Sequence, residues 1–160
     1  MESIYYSLRT IFVMKQDEHE NLTEFTKRFN NAFDIMETQH GELSLSAHLA
    51  NRSDYKSARS DADRASIHKE HYNCFKAFGY LKAVDQKKSG KLVEDLGNQF
   101  ALGTDQFPKT VVKATEAVVA YRNRINANNN SNPGNNQNRN QTNNEGNQNP
   151  NQNVSFQQST

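Results

Sequence analysis

Apolar residues recur at helical spacing along most of the first 125 positions. Ile4, Leu8, Ile11 and Phe12 stand at i, i+4, i+7 and i+8, the spacing of one helical face, and predict a first helix ending near Lys15. Asp17-Glu18-His19-Glu20 is a polar break. Asn21 follows as an N-cap, with Glu24 three residues on in capping-box position. Leu22, Phe25, Phe29, Ala32, Phe33 and Met36 then form a stripe of 3.6-residue period, with Thr26, Lys27, Asn30, Asn31 and Asp34 on the other face. His40-Gly41 supplies the stop.

Leu43, Leu45 and Leu49 predict a short helix or turn after Gly41. Residues 51–64 are nearly free of large apolar groups and read as a loop or an exposed helix. A long helix is expected from about Asp63 to Val84, burying Ile67, His71, Cys74, Phe75, Phe78 and Leu81. Another is expected from Lys87 to Leu102, marked by Leu92, Val93, Leu96 and Phe100. Gly97 inside it costs about 1 kcal/mol relative to alanine, which suggests close helix packing there. Gly103 caps it. Phe107-Pro108 is expected to open a last helix, with proline in a tolerated first-turn position and Val111, Val112, Ala114, Val118 and Tyr121 along it. No alternating strand pattern of useful length interrupts this series, so the expected fold is all-α, a bundle of about five or six helices.

Composition changes at residue 126. Of the last 35 residues, 15 are Asn and 6 are Gln, and only Ala127, Val154 and Phe156 are apolar. Such a segment cannot bury enough surface to offset backbone ordering. The organisation expected is therefore a helical domain over 1–125 and a disordered, solubilising tail over 126–160, whose polar tract permits weak self-association. A 125-residue domain is large enough for a core without staples.

One cysteine, Cys74, excludes an internal disulfide and makes a reduced compartment the default. Apolar runs such as Ile11 to Met14 are far too short for a membrane span. The segment Met1-Glu2-Ser3 lacks the basic start of a signal peptide. A cytoplasmic protein with no membrane partner is expected. The formal net charge is +1, so no whole-protein attraction to nucleic acid follows. Charge is uneven within the folded part: residues 1–75 carry 9 basic and 12 acidic groups, and residues 76–125 carry 9 and 5.

Few residues are arranged for chemistry. His68, His71 and Cys74 are spaced in threes, but on a helix each step turns the side chain by about −60°, so three ligands cannot converge on one ion. Cys74 reads as a small core residue. Glu94 and Asp95 are adjacent and point about 100° apart, a poor acid–base pair. No phosphate loop, nucleophile elbow or paired metal motif is present. No catalytic residue, cofactor, metal or small-molecule substrate is expected. The basic residues Lys82, Lys87, Lys88, Lys91, Lys109, Lys113, Arg122 and Arg124 could share one side of the last helices and contact phosphate. Lys87, Lys88, Lys91, Arg122 and Arg124 are the candidate nucleic-acid contacts. Base-stacking partners nearby are confined to Tyr80 and Tyr121.

Two segments resemble copia-type retrotransposon Gag polyproteins. After Met14-Lys15-Gln16, the run Glu20-Asn21-Leu22-Thr23-Glu24-Phe25 followed by Lys27-Arg28-Phe29 is similar to their K-Q, E-S-L-x-E-Y-x-x-R-F pattern. The second covers about 25 residues: Gly90-Lys91-Leu92-Val93-Glu94-Asp95-Leu96, Asn98, Phe100, Gly103, Asp105, Phe107-Pro108-Lys109-Thr110 and Ala114. It is similar to the family's G-K-L-x-E-D-L-x-N-x-F-x-x-G-x-D-x-Y-P-K-T stretch. The resemblance implies a capsid-like helical domain without catalysis that assembles with copies of itself around element RNA. The family usually carries a zinc knuckle after the capsid region, and no cysteine follows Cys74 here; the expectation is a fragment or remnant of such a Gag. The competing expectation is a small helical nucleic-acid-binding protein acting through residues 76–125.

Overall fold

Why residue 21 starts a helix is visible in its side chain. The Asn21 carboxamide oxygen accepts the Glu24 N–H at 2.9 Å, which satisfies a donor that a helix start leaves without a partner. The helix it opens ends at Gly41, whose φ of 79° is a conformation that residues with a Cβ rarely adopt. The structure, a computed structural model, describes residues 2–130, and every regular element among them is helical. In chain order these are α1 (Glu2–Val13), α2 (Leu22–His40), α3 (Ser46–Leu49), α4 (Ser53–Ser57), α5 (Asp61–Ala83), α6 (Gln86–Ala101) and α7 (Val111–Asn130). Five are long; α3 falls where Leu43, Leu45 and Leu49 predict a short helix or turn, and α4 is a single turn within the stretch read as a loop or an exposed helix. α7 continues five residues past the expected boundary at 125. The Asn/Gln-rich stretch beyond Asn130 lies outside the described residues.

α5 is the hub. Its backbone packs against α7 and α6, and α1 lies along α2. Between α2 and α5 the space is filled by rings. Phe25, Phe29, Phe33 and Met36 of α2 are buried, as their stripe predicts. Phe29 meets Tyr80 edge-on at 5.3 Å between centroids, and the chain of rings continues to Phe33 at 5.0 Å. α6 contributes Ser89, Val93 and Leu96, and α7 contributes Ala114, Val118 and Tyr121.

Of the six residues expected on the buried side of α5, Leu81 alone is fully buried. Tyr72, Ala77, Tyr80, Leu81 and Ala83 face the core, whereas Ile67, His71, Cys74 and Phe75 are half-buried and Phe78 is exposed. At 100° per residue the buried face is rotated by about 150° from the Ile67–Phe78 stripe. Its centre is tyrosine, and each buried hydroxyl has a partner. Tyr72 Oη donates to Glu37 Oε1 at 2.9 Å, and Tyr80 Oη lies 2.7 Å from Thr26 Oγ1. A tyrosine with its hydroxyl satisfied is a large core residue.

Other expectations need correcting. Phe100 is exposed and Leu92 only half-buried. Phe100 and Phe78 instead meet Phe107 edge-on at 6.1 and 5.6 Å, an aromatic trio at the margin of the bundle. Phe12, expected on the buried face of α1, is also exposed. Gly97 does not mark a close approach: a Cβ there would meet nothing within 4 Å. At Gly79 a Cβ would meet the Phe29 ring in ordinary contact at 3.8 Å. Pro108 precedes the last helix rather than opening it. Thr110 does the opening, accepting the Lys113 N–H on its hydroxyl at 3.2 Å.

Glu37 links this core to pH. Burial pushes its carboxyl up, but hydrogen bonds from Lys76 (2.7 Å) and Tyr72 outweigh it, so the net direction is downward. A carboxyl held below its unfolded value contributes stability above that value, and the contribution is lost as pH falls through the folded one. Stability should therefore drop on acidification below about pH 4.5. In Lys76→Met the Glu37 share of that drop should vanish. An acid-side slope identical in parent and variant, read by denaturant titration, would exclude this pairing as a source of acid sensitivity.

Candidate basic face and the polar junction behind it

The basic residues of α6 and α7 emerge from a junction that ties four parts of the chain. Gln16, in the α1–α2 connection, is only 8% exposed. Its N–H donates to Ala83 O at 2.8 Å at the end of α5, and its Nε2 donates to Glu20 O at 2.8 Å. Its Oε1 accepts from the Asp85 N–H and from Arg122 Nη2, both at 3.1 Å. Arg122 Nε in turn donates to Oγ of the fully buried Ser89 at 2.9 Å. Among the described residues no buried side-chain polar atom lacks a partner. Beside the junction, Arg28 forks onto Glu20 at 2.8 and 2.6 Å and also donates to Lys15 O at 2.8 Å. Glu20 is pulled below its usual carboxylate range by that hydrogen bond.

This geometry sorts the five candidate nucleic-acid contacts. Arg122 is a correction: it points inward as the strut between α7, α6 and the α1–α2 connection, so its guanidinium is committed. Lys88 pairs with Asp85 at 3.2 Å and donates to Glu18 O at 3.2 Å. Lys91 lies 3.2 Å from Glu94 and 3.5 Å from Asp95. Arg124 stacks over the Tyr121 ring at 5.4 Å beside Asp95 and Leu96. Lys87 alone of the five is exposed with no ion pair or ring partner among the described residues. Lys109 pairs with Asp105, Lys113 with Glu116 at 2.8 Å, and Lys82 rides over Phe78. Half of the expected cationic side, Lys88, Lys91, Lys109 and Lys113, is thus paired with acids three or four residues away, an arrangement that local spacing already encodes.

His68, His71 and Cys74 are not brought together around an ion site, and among the described residues no group of three metal-ligating side chains converges. His68 has a structural task, its Nε2 accepting the Leu45 N–H at 2.9 Å. Burial pushes the Cys74 thiol up, the wrong direction for a nucleophile. Glu94 and Asp95 both turn to Lys91.

What sequence reasoning missed is apolar. Two open grooves flank α2. One, of about 680 Å³, runs between α1 and α2 over Tyr6, Met14, Ala32 and Ile35. The other, of about 540 Å³, runs between α2 and α7 over Val111, Val112, Val119 and Ala120. Val112 and Val119 stand seven residues apart on α7, and that repeat was the available signal. No described helix is long and apolar enough to cross a membrane. Compared with known proteins, the chain matches no family model, no curated protein and no solved structure.

Proposed function

We propose that this chain is a Gag-type structural subunit of a copia-like element, which associates with copies of itself into capsid-like assemblies around element RNA in the cytoplasm. The observation that carries the reading is the pair of uncovered apolar grooves on either side of α2, since contiguous exposed apolar surface marks sites where other chains bind. The Gly90–Ala114 resemblance supports it from the sequence side. This reading assigns the chain no catalytic step, metal or cofactor. RNA contact in it is weak and independent of base sequence, because most cations of α6 and α7 have intramolecular partners.

A second reading, a nucleic-acid-binding module using residues 76–125, is favoured by one observation, that Lys82, Lys87 and Arg124 are exposed with no ion pair among the described residues. Three such cations give only modest counterion release, which leaves assembly as the stronger reading.

Sedimentation velocity on the full chain from micromolar to millimolar concentration tests it. The expected result is a weight-average coefficient that rises with concentration, through weak dimers to larger species. A strict monomer at millimolar concentration would remove self-assembly as the function.

A further inference from the structure

α1 is apolar around most of its circumference. Inward it buries Ile11, with Met14 just beyond its end. Outward, Tyr5, Tyr6, Phe12 and Val13 are 61%, 59%, 63% and 65% exposed. At 100° per residue these four span a sector of about 120°, with Arg9 at its middle. A helix that is hydrophobic all round is normally covered, and exposed tyrosines around an arginine have the composition of an interface centre. Tyr6 also lines the α1–α2 groove, so this face is continuous with Ile35, 55% exposed on α2. Together the five apolar side chains present about 600 Å², close to the roughly 800 Å² per partner of a stable interface.

We propose that the outward face of α1 and the α1–α2 groove form a two-fold interface with a second copy of this chain, in which Arg9 of each copy pairs with Glu24 of the other.

Charge complementarity within one chain identifies the occupant. Arg9 has no ion pair among the described residues, and neither has the carboxylate of Glu24, which stands on the groove wall. The other charged groups of the groove are Lys27, exposed and likewise without an ion pair among the described residues, and Arg28, already held by Glu20. With Arg9 on the apolar face and Glu24 on the groove wall, two identical copies can satisfy each other twice, the self-complementarity that a two-fold contact requires. An RNA strand would find aromatic platforms and Arg9 here, but also an unpaired carboxylate. The inference rests on the proposed self-association and names the surface that performs it.

The test uses the full chain and three variants, with folding checked by circular dichroism. Arg9→Glu alone and Glu24→Arg alone should each weaken association at least tenfold by sedimentation velocity, because like charges then meet twice. Mixing the two variants should restore it, because a mixed pair recovers one opposite-charge contact of each sense. Tyr6→Ser should weaken association without restoration by either partner. A parent that associates while both charge variants associate equally well would overturn this interface and leave self-assembly standing on another surface. A parent that stays monomeric would overturn both. Salt-sensitive binding of oligouridylate by the monomer, lost in Tyr6→Ser and Arg9→Glu, would identify the face as an RNA platform and overturn the proposal.

Discussion

Phe29→Ala should lose about 3–5 kcal/mol of folding stability, the range for truncating a fully buried phenylalanine. Phe29 is 1% exposed and touches four partners at once. Phe25 and Phe33 lie on its own helix at 6.1 and 5.0 Å between ring centroids. Tyr80 and the bare backbone of Gly79 lie opposite on α5. The gap left by alanine cannot close easily, because the rings around it are held by each other and by the Tyr80–Thr26 hydrogen bond. A domain of this size has about 5–15 kcal/mol in total, so the variant should be marginal at room temperature. Phe100→Ala, at 60% exposure, is the matched control and should cost well under half as much. Urea denaturation followed by circular dichroism reads both. If Phe29→Ala stayed within about 1 kcal/mol of the parent, the ring layer between α2 and α5 would not be the core.

The second large effect is expected at Gln16. Replacing it by leucine removes the acceptor for Arg122 and for the Asp85 N–H, and the donor to Glu20 O. Because a half-buried guanidinium loses a partner, the expected cost is about 2–4 kcal/mol, more than that of one neutral hydrogen bond. Arg122→Met should cost less, since methionine covers the same surface and strands only neutral groups, Ser89 Oγ among them. The double variant should be more stable than the sum of the two by on the order of 1–2 kcal/mol. Strict additivity would show that the two residues do not share one network. The same pair separates structure from binding. If Arg122 were a phosphate contact rather than a strut, Arg122→Met would leave the denaturation midpoint unchanged while weakening RNA binding.

Gln16 also shows how the polar residues between Met14 and Phe29 are used. Lys15, Gln16, Glu20 and Arg28 all meet at the α1–α2 connection through bonds of 2.6–2.8 Å. Their polar character is explained by geometry. They close a turn between two helices and fasten it to the α5–α6 corner, where Gln86 Nε2 donates to Leu81 O and Val84 O at 3.0 and 2.7 Å.

Local rules were enough for the helices themselves. Asn21, Gly41, Asp85 and Gly103 act within a few residues of their own positions, and capping energies depend on nothing farther away. The α2 stripe was equally legible, because its opposite face carries charge and leaves one side to bury. α5 differs. It has aromatic residues on two sides, Tyr72 and Tyr80 on one and Phe75 and Phe78 on the other, so periodicity offers two faces without choosing. The choice came from Glu37 and Thr26 on α2, which receive the two tyrosine hydroxyls and make burying them cheap. Cations posed the same problem. The Lys91 pairings could be read from spacing, but Arg122 finds its acceptor 106 positions away, and no local pattern carries that. The sequence alone determined that the five long segments are helical, since those energies are short-range. Only the tertiary structure decided which face of α5 is core, which arginine is a strut and which face of α1 stays bare, because each depends on what a distant helix places opposite.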